Sequence, residues 1–320
     1  MYFNIEKIIE NLKQNNPLVF RSVNIVELMN TRTTNSGLSR NMDVVFFGKN
    51  KIIYRTKFRD AKTFFVQIDH INYFMDNMFD SINHKCNIII GGGDITFPIN
   101  TDVRYNNMDI SKPNLKKLIN SQFVNKIFVE NLSCYLPRTY PIPLGINPSE
   151  CPTTIDYFLK FENIDESKPL KVTNFNRTRN GKGQWTERGY VANLCKTNWS
   201  KFFIHVNNKN HKDYLQIMGS YLFTICVCGG GLDVNPKLWE ALLIGVIPII
   251  KENKPYTDIY ERCEFPVVIV KKWDANTINE HNLTMWYNKY YNYFKNKRKR
   301  EKMLNHMSLD FWVKYVKNDE

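Results

Sequence analysis

Short apolar runs alternate along the chain with longer stretches in which apolar residues recur at helical spacing. In the N-terminal half each run is continuous instead of alternating with polar residues, which indicates strands buried on both faces. The strands predicted there cover residues 43–47, 63–68, 87–90, 126–129 and 140–145. Helical segments separate them, and this arrangement is typical of a parallel sheet covered by helices on both sides.

The pattern restarts near residue 170. A second series of strands is predicted over 170–175, 202–206, 222–228, 246–250 and 266–270, with helices over 186–196, over 214–220 and from Pro236 onward. The most polar stretch between the two series is 156–168, where we place a linker. We therefore predict an α/β protein with Rossmann-like domains over 1–160 and 161–280. Helices over 281–320 are predicted to pack back toward the first domain.

The charge balance indicates a polyanionic or phosphorylated partner. Among 320 residues, 44 are Lys or Arg and 31 are Asp or Glu, which gives a formal net charge of +13. Such an excess suits nucleic acid, a membrane surface or phosphorylated small molecules. The basic run over 295–302 is a candidate for peripheral membrane contact, and a solvated helix face explains it equally well.

The segments that direct a protein to or through a membrane are not apparent. Residues 1–16 carry charges throughout, and no apolar run approaches the roughly 18 residues of a membrane span. The seven cysteines form no Cys-x-x-Cys pair. Scattered thiols fit a reducing compartment. We expect a cytoplasmic protein without a transmembrane segment.

A triple glycine followed by a short helix is the most informative segment. Gly229, Gly230 and Gly231 follow a predicted strand and allow positive φ or a close approach to a ligand. Asn235 can cap the helix, and Pro236 suits its first turn. The segment predicts a strand, a glycine turn and a helix N-terminus, which together form a common anion-binding arrangement.

Two charged residues on this helix are expected to bind groups that offset their charge. Lys237 lies near the positive end of the helix dipole, which disfavours a cation unless an anion binds above it. Glu240 lies one turn further on in an otherwise apolar helix, and the two hydroxyls of a nucleotide ribose would suit it. The alternative is a surface pair between Lys237 and Glu240, with the glycines making only a turn.

The order of these features resembles the donor-binding core of GT-B glycosyltransferases. It is most similar to the exostosin-like family, in which a pattern close to D-x-x-R-x-W-E-A-L-x-x-G-x-I-P-V-I recurs. The matching residues are Asp233, Trp239, Glu240, Ala241, Leu242, Gly245, Ile247 and Pro248, and Lys237 replaces the arginine. A weaker similarity extends from Phe128 to Ile146. The resemblance covers about residues 215–275 and 85–150.

The resemblance implies a GT-B fold, in which two Rossmann-like domains with parallel sheets face a central cleft. It implies transfer of a hexose or pentose from a UDP- or GDP-linked sugar to a hydroxyl of a glycan or protein-linked glycan. No obligatory cofactor and no metal are expected. Asp233 and Glu240 would bind the donor, with Glu240 on the ribose. Lys237 and the N–H groups near Gly230 and Gly231 would neutralise the diphosphate.

A basic loop follows the first strand of the second series. Arg177, Arg179 and Lys182 lie there among glycines, and they form a candidate diphosphate clamp. An exposed basic loop without a ligand is the alternative.

The general base of an inverting transferase is expected at the end of a strand in the first domain. Asp94, which follows Gly91–Gly93, is the first candidate, and the Asp69–His70 pair is the second. A structural aspartate that caps the next helix explains Asp94 equally well.

Two other classes of protein remain open. A basic nucleic-acid-binding protein would use the net charge but would leave the helix with Trp239 and Glu240 unexplained, so we expect no nucleic acid partner. A catalytically inactive GT-B scaffold would retain the donor fold without turnover. The sequence contains no Asp-x-Asp motif, no P-loop and no Gly-x-Ser-x-Gly.

Overall fold

The computed structural model describes residues 38–105, 108–145, 168–177, 185–206, 210–232 and 235–317. Within these ranges the strands are β1 (Val44–Phe46), β2 (Ile52–Tyr54), β3 (Thr63–Gln67), β4 (Cys86–Gly91), β5 (Val124–Glu130), β6 (Thr139–Ile142), β7 (Val172–Asn174), β8 (Phe203–Ile204), β9 (Phe223–Ile225), β10 (Ile247–Lys251) and β11 (Val268–Val270). The helices are α1 (Ile71–Asn77), α2 (Lys112–Asn120), α3 (Thr186–Lys196), α4 (His211–Gly219), α5 (Asn235–Leu243), α6 (Lys254–Arg262), α7 (Glu280–Tyr290), α8 (Asn292–Lys295), α9 (Lys297–Met307) and α10 (Leu309–Lys317).

The first compact unit contains the N-terminal sheet, the segment 230–232 and the C-terminal helix α10. Its six strands lie in the order β2-β1-β3-β4-β5-β6, and all are parallel to their neighbours except β2. Every residue of β3 and β4 is buried, because helices and loops cover both faces of these central strands. Helix α10 is fastened to the sheet by Asn87, whose Nδ2 donates to the carbonyl oxygen of Val316 at 2.8 Å.

One strand of this sheet was not predicted. Strand β2 pairs antiparallel with β1 across a tight turn, in which the Phe47 N–H donates to the Lys51 carbonyl at 3.0 Å. Gly48 in the turn has a φ of 134°, a conformation that glycine adopts without strain. The prediction of a wholly parallel first sheet is therefore wrong at its edge. The sequence signal was weak because β2 has only three residues and none is buried.

The second unit contains β7 to β11 and helices α3 to α9. Its five strands are all parallel and lie in the order β11-β10-β9-β7-β8. The first strand in sequence, β7, thus lies between the second and the third. The chain reverses its direction of winding at this point, and ligands of doubly wound sheets bind at such a position, beyond the carboxyl ends of the strands.

The ten predicted strands are all present, and the helix predicted over 186–196 is confirmed with the same bounds. Helix α4 begins three residues earlier than predicted, because Asn210 caps it by accepting from the Asp213 N–H at 2.9 Å. The predicted domain boundary at 160–161 lies outside the described residues, as does the linker except for Lys168. Of the helices predicted over 281–320, α7 to α9 belong to the second unit and α10 to the first. Among the described helices, none has the length and apolar character that crossing a membrane requires.

Candidate functional site

At the switch point of the second sheet, an asparagine side chain hydrogen-bonds across two neighbouring strands. Asn176 follows β7, and its Nδ2 donates to the carbonyl oxygen of Ile225 at the end of β9, at 2.9 Å. Its Oδ1 accepts from the Val227 N–H at 3.3 Å. The ends of the two neighbouring strands are thereby held together, and the loops that follow them start from a fixed position.

Lys237 points into this position from the first turn of α5. Its Nζ donates to Oδ1 of Asn176 at 3.2 Å. The ammonium group is largely removed from water, although the residue keeps partial exposure, and this burial lowers the pKa of Lys237 to about 8. The positive charges of Arg188 and Arg177 lower it further. A shift of this size corresponds to a cost on the order of 3 kcal/mol for keeping the lysine charged, and a bound anion would offset that cost.

Arg188 is a third cation close to Lys237 and Arg177, and the sequence did not indicate its role. We call these three residues the cationic cluster. Arg188 is only 8% exposed. Its Nε donates to the Cys228 carbonyl at 2.9 Å, and its two terminal nitrogens donate to the carbonyls of Val227 (3.2 Å) and Arg177 (3.3 Å). One guanidinium therefore fixes both loops at the switch point. A detectable signal was its position seven residues before Cys195, on the buried face of the predicted helix.

Gly229 has a physical role beside this arginine. A Cβ at Gly229 would lie 2.9 Å from a terminal nitrogen of Arg188. Only glycine leaves room for the guanidinium at this distance, so the first glycine of the triple is required by the packing of the site.

Glu240 hydrogen-bonds to two side chains of α4. It is 2% exposed, and both oxygens of its carboxylate are already bonded within the protein. His211 donates from Nε2 to Oε1 at 2.9 Å, and the hydroxyl of Tyr214 donates to Oε2 at 2.6 Å. Each carboxylate oxygen thus accepts from a protein donor, and Glu240 links α5 to α4. The contact of Glu240 with ribose stays a prediction.

An aromatic cluster lies next to Asn176, at the carboxyl end of β7. The rings of Phe175 and Tyr214 meet edge to face with centroids 4.6 Å apart, and the rings of His211 and Tyr214 are 5.5 Å apart. Because Glu240 anchors His211 and Tyr214, these rings are held in fixed orientations beside the cationic cluster. The planes of the Phe175 and Tyr214 rings are at 90° to each other, and those of His211 and Tyr214 are at 30°.

The other predicted donor residues have separate outcomes. Arg177 is exposed and its carbonyl accepts from Arg188, as described above. Arg179, Lys182 and Asp233 lie outside the described residues.

Gly230 and Gly231 are explained by packing within the first unit. A Cβ on Gly230 would overlap the side chains of Arg104 and Asp94, and one on Gly231 would overlap the carboxamide of Asn131. Asn131 also accepts from the Leu232 N–H at 2.9 Å. Neither glycine has a positive φ. Close contact with protein side chains accounts for glycine at both positions, and the role of their N–H groups in neutralising a diphosphate stays a prediction.

Asp94 is engaged in an ion pair. Its Oδ2 accepts from the terminal Nη2 of Arg104, whose Nε also donates to both oxygens of Asp102, at 3.0 and 2.9 Å. The hydrogen bond with Asp102 is the main cause of a pKa of Arg104 well above its usual range. The Asp94 carboxylate is thus held by a cation that is also paired with Asp102.

Asp69 lies at the same edge of the first sheet, in the turn 68–70 that follows β3. Its Oδ1 would be 3.1 Å from a Cβ on Gly93, and partial burial of the carboxyl raises the pKa of Asp69, although the residue as a whole is exposed. The positive charge of His70 opposes that rise, and the negative charge of Asp94 adds to it. The structure thus brings the three predicted catalytic residues to one edge.

Buried polar contacts hold the glycine turn between these carboxylates. The Gly92 N–H donates to Oε2 of Glu130 at 2.6 Å, and Nδ2 of Asn131 donates to the Gly93 carbonyl at 2.8 Å.

Within the described ranges, no group of three or more His, Cys, Asp and Glu side chains is arranged to hold a metal ion.

Fold and site define an α/β protein with two sheets of parallel type and the cationic cluster at the switch point of the second. No protein-family model matches the chain, and no curated protein sequence is significantly similar to it. The resemblance to exostosin-like transferases therefore depends on the motif residues alone.

Proposed function

We propose that the chain is a glycosyltransferase of the GT-B type that moves a sugar from a nucleotide-diphosphate sugar to a hydroxyl of a glycan. The observation that supports the donor site best is Lys237, a desolvated lysine at a helix start with a pKa near 8. The helix dipole, Arg188 and Arg177 all disfavour its charge. A diphosphate at this point would be stabilised by every one of these groups.

The burial of the cations favours a small anion over a polynucleotide. Nonspecific nucleic acid binding relies on exposed Lys and Arg side chains that reach successive phosphates. Here Arg188 is 8% exposed, and the ammonium of Lys237 is covered. A single pyrophosphate at the end of a strand fits such a position better than a polymer backbone does.

We assign the nucleoside to the aromatic side of the site. Phe175, Tyr214 and His211 offer ring surfaces, and apolar surfaces with a few fixed polar groups are usual in nucleotide pockets. Glu240 acts here as a positioning residue that orients His211 and Tyr214. Its effect on donor binding would therefore be indirect.

We assign the general base to Asp69 in preference to Asp94. In the proposed step the acceptor oxygen forms a bond to the anomeric carbon, and the bond from that carbon to the donor's diphosphate oxygen breaks. The electron pair leaves with the nucleoside diphosphate, and the carboxylate of Asp69 takes the hydroxyl proton. The raised pKa of Asp69 favours it as a proton acceptor, and the carboxylate of Asp94 is already engaged by Arg104.

We also propose a cytoplasmic location. The cysteines in the described ranges are free, and most are buried. Free thiols of this kind fit a reducing compartment.

Isothermal titration with UDP, GDP, ADP and CDP tests the proposal. We expect one diphosphate to bind with a micromolar Kd and Lys237→Met to weaken it, while Lys254→Met leaves it unchanged. Lys254 is a matched control because it is an exposed lysine in the first turn of α6. Donor hydrolysis and transfer are then followed by chromatography of the released nucleotide.

Three results would decide against the proposal. A chain that binds no nucleoside diphosphate at 1 mM ligand, on the order of the weakest useful affinities, has no donor site. Tight, steeply salt-dependent binding of a single-stranded oligonucleotide would favour the nucleic-acid-binding protein. Diphosphate binding without hydrolysis or transfer for any nucleotide sugar would identify an inactive scaffold.

A further inference from the structure

Helices α7, α8 and α9 follow one another in the second unit and carry a concentrated positive charge. Between residues 285 and 302 there are seven basic residues and one acidic residue. The exposed basic residues are Lys289, Lys295, Lys297, Arg298, Lys299 and Lys302. We call the exposed part of 285–302 the basic aromatic surface, because tyrosines alternate with these cations.

The tyrosines and the cations on this surface are paired. Lysine ammonium groups lie over two half-buried tyrosine rings, Lys289 over Tyr290 at 4.8 Å and Lys299 over Tyr293 at 4.5 Å. Lys295 lies over the ring of Tyr291 at 4.9 Å, and this ring is itself buried. A hydrogen bond with the hydroxyl of Tyr290 raises the pKa of Lys289. The ring contacts hold the three ammonium groups at defined places.

Nearby carboxylates neutralise only part of this charge. Lys302 donates to Glu264 at 2.6 Å, and Glu261 is close enough to Lys289 to act on its charge. Within 285–302 itself, the sequence has seven basic residues and one acidic residue, Glu301. The excess of positive charge is what an anionic surface would complement.

We propose that the basic aromatic surface binds the anionic phospholipid face of a membrane. Met285 is 49% exposed and lies four residues before Lys289, hence on the same face of α7. An exposed thioether, tyrosine rings and lysines on one surface match the composition of interfacial segments, where rings sit at headgroup level and cations meet anionic lipids.

The ring contacts favour a membrane over nucleic acid. Bases stack on aromatic side chains that have an open face. On this surface Lys289 and Lys299 each cover one face of a half-buried tyrosine ring. The ring of Tyr287 stacks on the buried Tyr291 with centroids 4.7 Å apart. A base would therefore find one face of each of these partly exposed rings already occupied.

Vesicle sedimentation with the full chain tests the proposal without any nucleotide, so its outcome is independent of the proposed transferase activity. The probes are vesicles of phosphatidylcholine alone and vesicles in which phosphatidylserine replaces part of it, at physiological ionic strength. The charge variant replaces Lys289, Lys297, Arg298 and Lys299 with Gln. The matched control replaces Lys49, Lys57, Lys62 and Lys116, four exposed lysines of the first unit, with Gln.

We expect binding to the phosphatidylserine vesicles only. Each basic side chain near an anionic surface contributes a factor of roughly five, so the charge variant should lose more than about fiftyfold in affinity. The control should stay within a factor of about five, and Met285→Glu should weaken binding on its own. Circular dichroism confirms that each variant is folded.

The proposal is overturned if phosphatidylserine vesicles do not bind, or if the control loses as much affinity as the charge variant. Tighter binding to a single-stranded or duplex oligonucleotide than to the vesicles would assign the surface to nucleic acid instead.

Discussion

The ammonium nitrogen of Lys237 lies 3.2 Å from the side-chain oxygen of Asn176, which joins the start of α5 to the loop after β7. The side chain of Asn176 also hydrogen-bonds to the carbonyl of Ile225, at the carboxyl end of β9, and to the N–H of Val227. A lysine that burial makes hard to charge is thus fixed at the carboxyl ends of two neighbouring strands.

Lys237→Met should have opposite effects on stability and on binding. At pH 7 the variant no longer keeps a buried charge, so its free energy of unfolding should rise by about 2 kcal/mol. Affinity for the nucleoside diphosphate should fall by roughly 10- to 100-fold, because a charge-assisted hydrogen bond is lost. Urea denaturation and titration calorimetry measure the two quantities. A variant that is less stable and binds normally would show that Lys237 is a structural residue.

Diphosphate affinity should depend on pH through the same residue. The pKa of Lys237 is about 8 in the folded chain and 10.5 ordinarily. A bound diphosphate would restore the proton, so its Kd should rise by up to about tenfold per unit as the pH increases above 8. Titrations in buffers of different ionisation enthalpy detect the proton uptake, and Lys237→Met should abolish it.

The free energy of unfolding should increase with pH above 8, where the diphosphate affinity decreases. Between pH 8 and pH 10.5 the unfolded chain holds the lysine proton and the folded chain has lost it. The free energy of unfolding contributed by this residue should therefore rise with pH there and level off above 10.5. The difference in stability between the native protein and Lys237→Met, measured at each pH, isolates this contribution.

Glu240→Ala should unfold more easily than Glu240→Gln. Removal of the carboxylate leaves the His211 and Tyr214 donors buried without their acceptor, which costs about 3 kcal/mol, whereas Gln keeps an acceptor and should cost about half of that. Equilibrium urea denaturation gives both values. Nucleotide binding supplies the second readout: if Glu240 contacted ribose directly, Glu240→Gln would erase the preference for UDP over its 2′-deoxy analogue.

The two carboxylates of the first unit should respond differently to substitution. Asp69→Asn should lower kcat by roughly 10²- to 10⁴-fold, the usual contribution of a general base, with KM for the donor unchanged. The acid limb of kcat should lie above pH 3.8, the ordinary pKa of Asp, because the pKa of Asp69 is raised. Asp94→Asn serves as the comparison, and a larger loss of kcat there would return the base to Asp94.

Gly231→Ala should destabilise the first unit. The added Cβ would overlap the carboxamide of Asn131, and overpacking of this kind typically costs about 1 to 3 kcal/mol. Gly189→Ala is the matched control, since no atom lies within 4 Å of the added Cβ and the residue is inside helix α3. That control should gain about 0.5 to 1 kcal/mol. Thermal unfolding of both variants separates the steric effect from the loss of a glycine.

Local patterns were sufficient for most of the secondary structure. Continuous apolar runs such as 87–90 predict strands because burial on both faces leaves no alternation. The end of α5 was predicted at Gly245, which has a φ of 71° in the structure. Strand β2 was missed because it has only three residues and none is buried, so its sequence shows no pattern typical of a buried strand.

The partners of the site residues could not be predicted in the same way. Glu240 needed a partner by its burial in an apolar helix, but Tyr214 and His211 lie 26 and 29 residues away in the chain. Arg188 contacts the carbonyl of Cys228 across 40 residues. No local rule links such positions, so a ribose and a protein side chain were equally acceptable partners for Glu240.

The sequence by itself determined most of the strands, the helix over 186–196 and the place where a cation meets a helix start, because propensity, capping and burial act over a few residues. Only the tertiary structure decided that Glu240 is bonded within the protein, that Gly230 and Gly231 pack against Arg104 and Asn131, and that Arg188 joins Lys237. These outcomes depend on which strand ends become neighbours. Strand order is set by the packing of the whole sheet and leaves no signal within any one segment.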